Sequence, residues 1–223
     1  MRATDLFTAG ELKRLSRRSD WVGAGLVLHA WVLILGSMAV FAVWPNPLTF
    51  IAAVMIIGGR QLGLAILMHD AAHGLLFKTR RFNEFAGQWL CAYPVGTDLN
   101  LYRPYHLKHH RFTQQENDPD LVLSAPFPIT RQSLRRKVQR DLLGQTGYQR
   151  RKMQWNEAWG PANLSWAERR ERLNKAGITG ALITNLVLLL LILTAAGYWW
   201  LYPVLWLLPM LTWYQLVSRI RNI

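Results

Sequence analysis

Residues 48–77 read LTFIAAVMIIGGRQLGLAILMHDAAHGLLF. The run is apolar apart from Arg60 and Gln61 until it reaches His69-Asp70-Ala71-Ala72-His73 near its end. A helix rises about 1.5 Å per residue and a bilayer core is about 30 Å thick, so roughly 20 apolar residues suffice to cross it. Thirty residues exceed that need, so a helix over 48–77 is expected to project its last two turns into water. The two histidines sit on that projecting end.

Working outward, Pro45-Asn46-Pro47 makes a tight uncharged turn, and Trp21–Trp44 before it forms a first span whose only ionisable side chain is His29. Residues 1–20 mix Leu6, Phe7, Leu12 and Leu15 with Lys13, Arg14, Arg17 and Arg18, the pattern of an amphipathic helix lying on a membrane surface. No small-residue cleavage site follows, so this is not a signal peptide. Downstream, Ile178–Ala196 and Tyr202–Val217 read as third and fourth spans, joined by the aromatic belt Tyr198-Trp199-Trp200-Leu201-Tyr202. The expected fold is therefore an all-α integral membrane protein with four transmembrane helices in two hairpins. Its segments are 1–20 (amphipathic), 21–77 (first hairpin), 78–177 (polar cap), 178–218 (second hairpin) and 219–223.

Within 78–177, Phe82, Phe85, Trp89, Leu90 and Tyr93 suit an interfacial helix, Pro126 and Pro128 interrupt helix, and Arg131–Arg172 is helical and solvated by composition. A net charge of +13 invites a nucleic-acid reading, but no recognition module accompanies it. Of the 26 basic residues, 18 lie between Lys78 and Lys175, beside the spans. Both hairpin turns lack Lys and Arg, whereas the N-terminus, the long polar region and Arg219/Arg221 carry them. The positive-inside bias then puts both termini and the cap in the cytoplasm, with a bacterial inner membrane as the expected location. The single cysteine, Cys91, excludes an internal disulfide and a cysteine-rich zinc site and reads as inert packing. Arg60 sits near mid-span, where a charge is costly, so it is expected to face the bundle interior.

Five of the six histidines fall in two groups, His69/His73 and His106/His109/His110. On a helix the first pair shares a face, and the second group spans an arc of about 100°. One histidine near an interface is ordinarily a hydrogen-bonding residue; two helix-compatible groups after one span point to a metal. A zinc protease helix would carry His-Glu-x-x-His, and Asp70 stands in place of that glutamate. No Glu has a His three residues later, which removes the Glu-x-x-His pattern of carboxylate di-iron sites. A donor set rich in neutral imidazole suits iron among redox metals. His29 is too far along the first span to join and reads as structural.

The order of a span, H-D-A-A-H, then Y-R-P-Y-H-L-K-H-H-R-F-T over 102–113, then D-P-D over 118–120, resembles the membrane fatty acid desaturase family. The resemblance implies four spans under a cytosolic cap and histidine boxes holding two non-haem irons that use O2. It makes His69, His73, His106, His109 and His110 metal ligands and matches Asn222, through water, to a further one. Asp70, Asp118 and Asp120 are candidate acceptors for the imidazole N–H groups, while Asp118-Pro119-Asp120 serves equally as the turn ending the second helix.

The same resemblance implies desaturation of an acyl-lipid, acyl-CoA or acyl-carrier substrate among membrane lipids. Electrons would come from a ferredoxin or a cytochrome b5-like donor docked on the basic cytosolic face. A hydroxylase or ketolase acting on alkane, sterol or carotenoid would share the same ligands, and a non-catalytic truncated remnant is the third alternative. Family members carry a His-x-x-His-His box after the fourth span. The chain is accordingly expected to be truncated, with a reading frame continuing past Ile223 and the 223-residue form inactive and quick to lose metal.

Overall fold

The computed structural model describes residues 6–124 and 127–221, and among these every regular element is helical. In chain order they are α1 (Ala9–Leu15), α2 (Asp20–Val43), α3 (Pro47–Ala72), α4 (Arg80–Phe85), α5 (Leu99–Phe112), α6 (Leu121–Ser124), α7 (Arg131–Leu142), α8 (Gln145–Trp159), α9 (Trp166–Lys175), α10 (Ile178–Ala196), α11 (Leu208–Leu211) and α12 (Trp213–Arg221). Two π-helical stretches, Ala86–Ala92 and Pro203–Leu207, and a 3-10 turn, Tyr93–Val95, complete them. Pro126 and Asn222 lie outside the described residues.

Among the described residues, three helices are long and apolar enough to cross a membrane: α2 with 24 residues, α3 with 26 and α10 with 19. The first two form the expected hairpin. Asn46 caps α3 by accepting hydrogen bonds from the Leu48 and Thr49 amides, and Pro47 occupies the first turn, where its missing N–H costs nothing. Val27, Ile34 and Met38 of α2 pack with Ala53, Ile57 and Leu64 of α3 in one buried cluster. In lipid such contacts stabilise through close van der Waals fit, since the acyl tails are as apolar as the side chains. At the start of α2 the Asp20 carboxylate accepts from the Thr79 amide at 2.8 Å and hydroxyl at 2.7 Å, and Arg18 donates to the Gly74 carbonyl at 2.8 Å. These bonds tie the beginning of the first span to the end of the second.

The structure corrects two expectations. α3 stops at Ala72 instead of running to Phe77. His73 is its C-cap, Gly74 adopts φ +67°, and the Leu75 and Gly74 amides donate back to the Asp70 and Ala71 carbonyls. This is a Schellman ending, which needs a residue without Cβ strain at Gly74. The two histidines therefore sit on the last turn and its cap, not on two free turns.

The expected fourth span over 202–217 is not one helix. It is a π-helical stretch, then α11, then a break at Thr212 (φ −113°, ψ −88°) before α12. Pro203 and Pro209 remove N–H donors from the ladder. Apolar surroundings tolerate such a break only if the loosened polar groups find partners. Gln61 of α3 donates to the Trp206 carbonyl at 2.8 Å, and Gln215 donates to the Met210 carbonyl at 3.0 Å. Asn185 of α10 accepts from Trp206 Nε1 at 2.8 Å and the Tyr202 hydroxyl at 2.9 Å while donating to the Pro94 carbonyl at 3.2 Å.

The interfacial stretch is also more irregular than its composition predicts, turning π-helical at Ala86 and 3-10 at Tyr93. Trp31 of α2 secures it by donating to the Leu90 carbonyl at 3.0 Å. Residues 131–172 are mostly helical, in α7, α8 and part of α9, with breaks at 143–144 and 160–165. Arg60 is half-buried on α3, and His29 lies on an exposed face of α2.

Candidate metal centre

Two helix segments carry the histidines, and a polar scaffold sets their register. α5 begins at Asp98, whose carboxylate accepts from the Asn100 amide at 2.8 Å and the Leu101 amide at 3.0 Å. Buried Gln88 donates to the other Asp98 oxygen at 2.7 Å and accepts from the Leu99 amide at 2.8 Å, so α5 starts from a point fixed on the π-helical stretch. Arg103, one turn before His106, reaches the end of α3. Its Nε donates to the Ala72 carbonyl at 3.0 Å and its Nη2 to the Ala71 carbonyl at 3.2 Å, while Nη2 also meets both Glu84 oxygens at 2.8 and 2.9 Å. A cation at a helix C-terminus satisfies otherwise orphaned carbonyls and opposes the negative end of the dipole. Asn83, itself buried, adds a bond to the Ala71 carbonyl at 2.9 Å.

With the two ends locked, His69, His73, His106 and His110 offer ligand nitrogens that all lie within 4.8 Å of one another. Nε2 of His106 sits 2.9 Å from Nε2 of both His73 and His110. Tyr102 stacks on His106 at 4.9 Å with an interplanar angle of 11° and fixes that ring's plane. His109 stands beside this group rather than within it. Its Nδ1 is held at 2.7 Å by Asp118, whose side chain is fully buried.

Asp118 contacts both His109 and the turn that follows α5. It accepts from the Gln114 amide at 2.8 Å and the Asp120 amide at 2.9 Å, forming the turn, and it orients His109. Fixing Nδ1–H on a carboxylate leaves Nε2 as the basic nitrogen. Asp70 accompanies His69 Nδ1 at 3.2 Å. Asp120 accepts from the Tyr105 hydroxyl and lies 3.7 Å from His109.

Electrostatics favour neutral imidazole at His106 and His73. Burial, then the neighbouring imidazoles His69, His110, His73 and His109, push the His106 pKa down to about 4. Burial and the same kind of crowding lower His73. Imidazole nitrogens converging from two helices are the donor chemistry that a transition metal such as iron, zinc or copper accepts. The residues present therefore fit a metal, and an open cleft of about 330 Å³ beside His69, His106, His109 and His110 leaves space for a reactant. Arg221, on the last turn of α12, lines the same cleft.

Of the sequence-predicted residues, four histidines are brought together, His109 adjoins them with Asp118 and Asp120, Asp70 accompanies His69, and Asn222 lies outside the described residues. Sequence reasoning missed Arg103, Glu84, Asn83, Gln88 and Tyr102. Arg103 and Tyr102 sit in the Y-R-P-Y stretch leading into the second box, and a charge three residues before a ligand on the same helical face was the available signal.

The family model for fatty acid desaturases matches residues 42–223. Among curated proteins, dihydrorhizobitoxine desaturase of Bradyrhizobium elkanii is 40% identical over 80 residues, which is 35% of this chain and 22% of that protein. Beta-carotene ketolase of Paracoccus sp. strain PC1 is 34% identical over 105 residues, covering 45% of this chain and 40% of the ketolase. The ketolase of Paracoccus sp. strain N81106 is 28% identical over 109 residues, or 46% and 43% of the two chains. The chain thus matches less than half the length of each of these relatives. No solved structure matches it significantly. The family match spans both histidine groups and all but the first 41 residues, and the chain is a member of the fatty acid desaturase family.

Proposed function

We propose that this chain forms the metal-binding part of a membrane desaturase that introduces a C=C bond into an acyl chain at an iron pair held by His69, His73, His106, His109 and His110. The observation that carries the reading is the convergence of four ligand nitrogens from two separate boxes to within 4.8 Å. Iron supplies the O2-driven removal of hydrogen from an unactivated carbon, which no side-chain acid or base can perform. The chain's own residues do the rest. Asp70 and Asp118 hold imidazole Nδ1 atoms, Tyr102 fixes the His106 ring, and Arg103 keeps the two boxes in register.

The long polar region and both termini face the cytoplasm of a bacterial inner membrane in this reading, with the segment over 202–217 as the fourth, broken span. An acidic ferredoxin or cytochrome b5-like donor would meet Arg131, Arg135, Arg136, Lys137 and Arg140 of α7.

A second reading is oxygenation of a carotenoid. It is favoured by the two ketolase relatives, whose matches cover 45% and 46% of this chain against 35% for the desaturase. Mass spectrometry of lipids from cells expressing the full reading frame with an electron donor separates the two. Loss of two hydrogens from acyl chains supports desaturation, gain of a carbonyl on a carotenoid supports the second reading, and neither product in iron-loaded protein would sink both.

A further inference from the structure

Away from the histidines, α8 places Arg151 against the 3-10 turn Tyr93–Val95. Its Nη1 donates to the Gly96 carbonyl at 2.7 Å and to Gln154 Oε1 at 2.9 Å, and its Nη2 donates to the Val95 carbonyl at 2.7 Å. The approach is built into the backbone. Gly96 has φ +69°, and a Cβ there would lie 2.5 Å from Arg151 Nη1, so any other residue would push the guanidinium out.

All three acceptors are neutral. Among the described residues no carboxylate lies within ion-pair distance of Arg151. Burial holds the Arg151 pKa below the usual arginine value, with Arg150, of the same sign, adding to the shift and Tyr214 opposing it. A guanidinium has five N–H donors. Three are used here, leaving Nε–H and one Nη2–H. That is the edge with which Arg219 grips Asp141 and which matches a carboxylate or phosphate in bidentate fashion.

Arg151 lines a cavity of about 300 Å³ together with Gln154, Asn185 and Tyr202, and the rest of its wall is apolar, including Trp155 of α8, Leu182 of α10, and Leu207 and Met210 of the broken last segment. Leu182 is 55% exposed on the apolar face of a candidate span, so the cavity opens toward lipid. A charge at one end and an apolar wall running into the bilayer at the other are the two halves of an amphiphile's complement.

We propose that this cavity binds an anionic lipid, its phosphate on the Nε/Nη2 edge of Arg151 and its acyl chain along Leu182, Leu207 and Met210. The site is separate from the histidine cleft, with which it shares no lining residue. It stands independently of the reaction assigned to that cleft.

Native mass spectrometry of the 223-residue protein in detergent tests it, with dioleoyl phosphatidylglycerol titrated as the lipid and sodium phosphate as the headgroup alone. A saturable adduct of one phosphatidylglycerol is expected, and Arg151→Gln should weaken it by about tenfold or more while Arg150→Gln leaves it unchanged. Should Arg151→Gln fail to fold, Leu182→Trp, which fills the apolar arm from the lipid side, gives the same readout with the guanidinium intact. Equal phosphatidylglycerol binding in wild type and Arg151→Gln overturns the proposal; with Leu182→Trp as the substitute, equal binding there does so. Full displacement of the lipid by millimolar sodium phosphate also overturns it, because the site would then be one for free phosphate.

Discussion

Arg219 of α12 forks onto the carboxylate of Asp141 in α7, 78 residues earlier in the chain, through Nε to Oδ2 and through Nη2 to Oδ1, the latter at 2.9 Å. The Asp141 side chain is fully buried and that of Arg219 is 19% exposed. The pair fixes the last helix, and hence Arg221 at the rim of the histidine cleft, to the polar region. Removing one partner of a buried pair strands the other charge and costs about 3–5 kcal/mol, whereas replacing both by apolar residues of similar volume is often nearly neutral. Arg219→Ala should therefore lower the melting temperature of the detergent-solubilised protein sharply, and Arg219→Met with Asp141→Leu should recover most of the loss. A single variant that melts like wild type would show that the pair does not anchor α12.

The pH dependence of the metal-free protein follows from groups shifted in the same direction for different reasons. Burial raises the Asp141 pKa, but the hydrogen bonds from Arg219 and Thr146 outweigh it, and the net shift is downward from 3.8. A depressed carboxylate contributes stability above its unfolded pKa and loses it as pH falls through the folded one. His106 is pushed down to about 4 from 6.5, chiefly by burial, and His73 shifts the same way. For these imidazoles the unfolded chain takes up protons first, so stability falls as pH drops from about 6.5 toward 4. Thermal melts should be flat from pH 8 to about 7, decline from about 6.5, and decline further below about 4 as Asp141 protonates. A stability maximum near pH 5 would contradict both assignments.

Much of this was legible in the sequence, and the misses have physical causes. Apolar length placed α2, α3 and α10 within a few residues, because bilayer crossing is a composition constraint that acts on every residue of the span. The end of α3 was misplaced by five residues, since the Schellman turn depends on one glycine, Gly74, set among residues that would all continue a helix. The last segment read as a span by hydropathy, although its prolines and the Thr212 break divide it, and Gln61 and Asn185, distant in sequence, help make the division tolerable. Box spacing brought out the four clustered histidines. What set His109 apart was a contact nine residues away, with Asp118, and nothing in the spacing of the second box separated His109 from His106 and His110.

The proposed orientation can be tested by cysteine labelling because the native thiol is silent. Cys91 is fully buried, and burial pushes its thiol up to about 12. Pro45→Cys, in the exposed first hairpin turn, should react with an impermeant maleimide added outside intact cells, and Gln132→Cys on α7 should react only after the membrane is opened. The reverse pattern would invert the topology.

Arg103 is predicted to act on the metal without touching it. It joins the last carbonyls of α3 to Glu84 from a position one turn before His106, so its loss lets the two boxes slip relative to each other. Outer partners of metal sites are typically worth 10–100-fold in affinity, and Arg103→Gln should weaken iron binding by about tenfold. Arg103→Lys should not restore it, because one ammonium cannot span a carboxylate and two carbonyls in a plane. Unchanged iron affinity in Arg103→Gln, measured by chelator competition, would reduce Arg103 to a structural cap.

The histidines themselves should divide into classes that differ from a uniform set of five. His69, His73, His106 and His110 supply the nitrogens lying within 4.8 Å, so each Ala variant removes a donor from the cluster and should cost more than the roughly 100-fold upper range of outer-partner effects. His109 stands apart with its Nδ1 on buried Asp118, and its centroid is 6.0 Å from that of His106. If it ligates through Nε2, Asp118→Asn should reproduce a substantial part of the His109→Ala loss, about 10-fold or more, because an amide oxygen holds the imidazole without stabilising its charge. If His109 is only a turn residue, both variants should bind iron like wild type while melting at lower temperature. His29, exposed on α2, serves as the control and should bind normally after substitution. Metal content and melting temperature must be read together, since losing a ligand can unfold a metalloprotein as well as empty it. Iron retention in two of the four clustered variants, with folding intact, would remove the cluster as the metal centre.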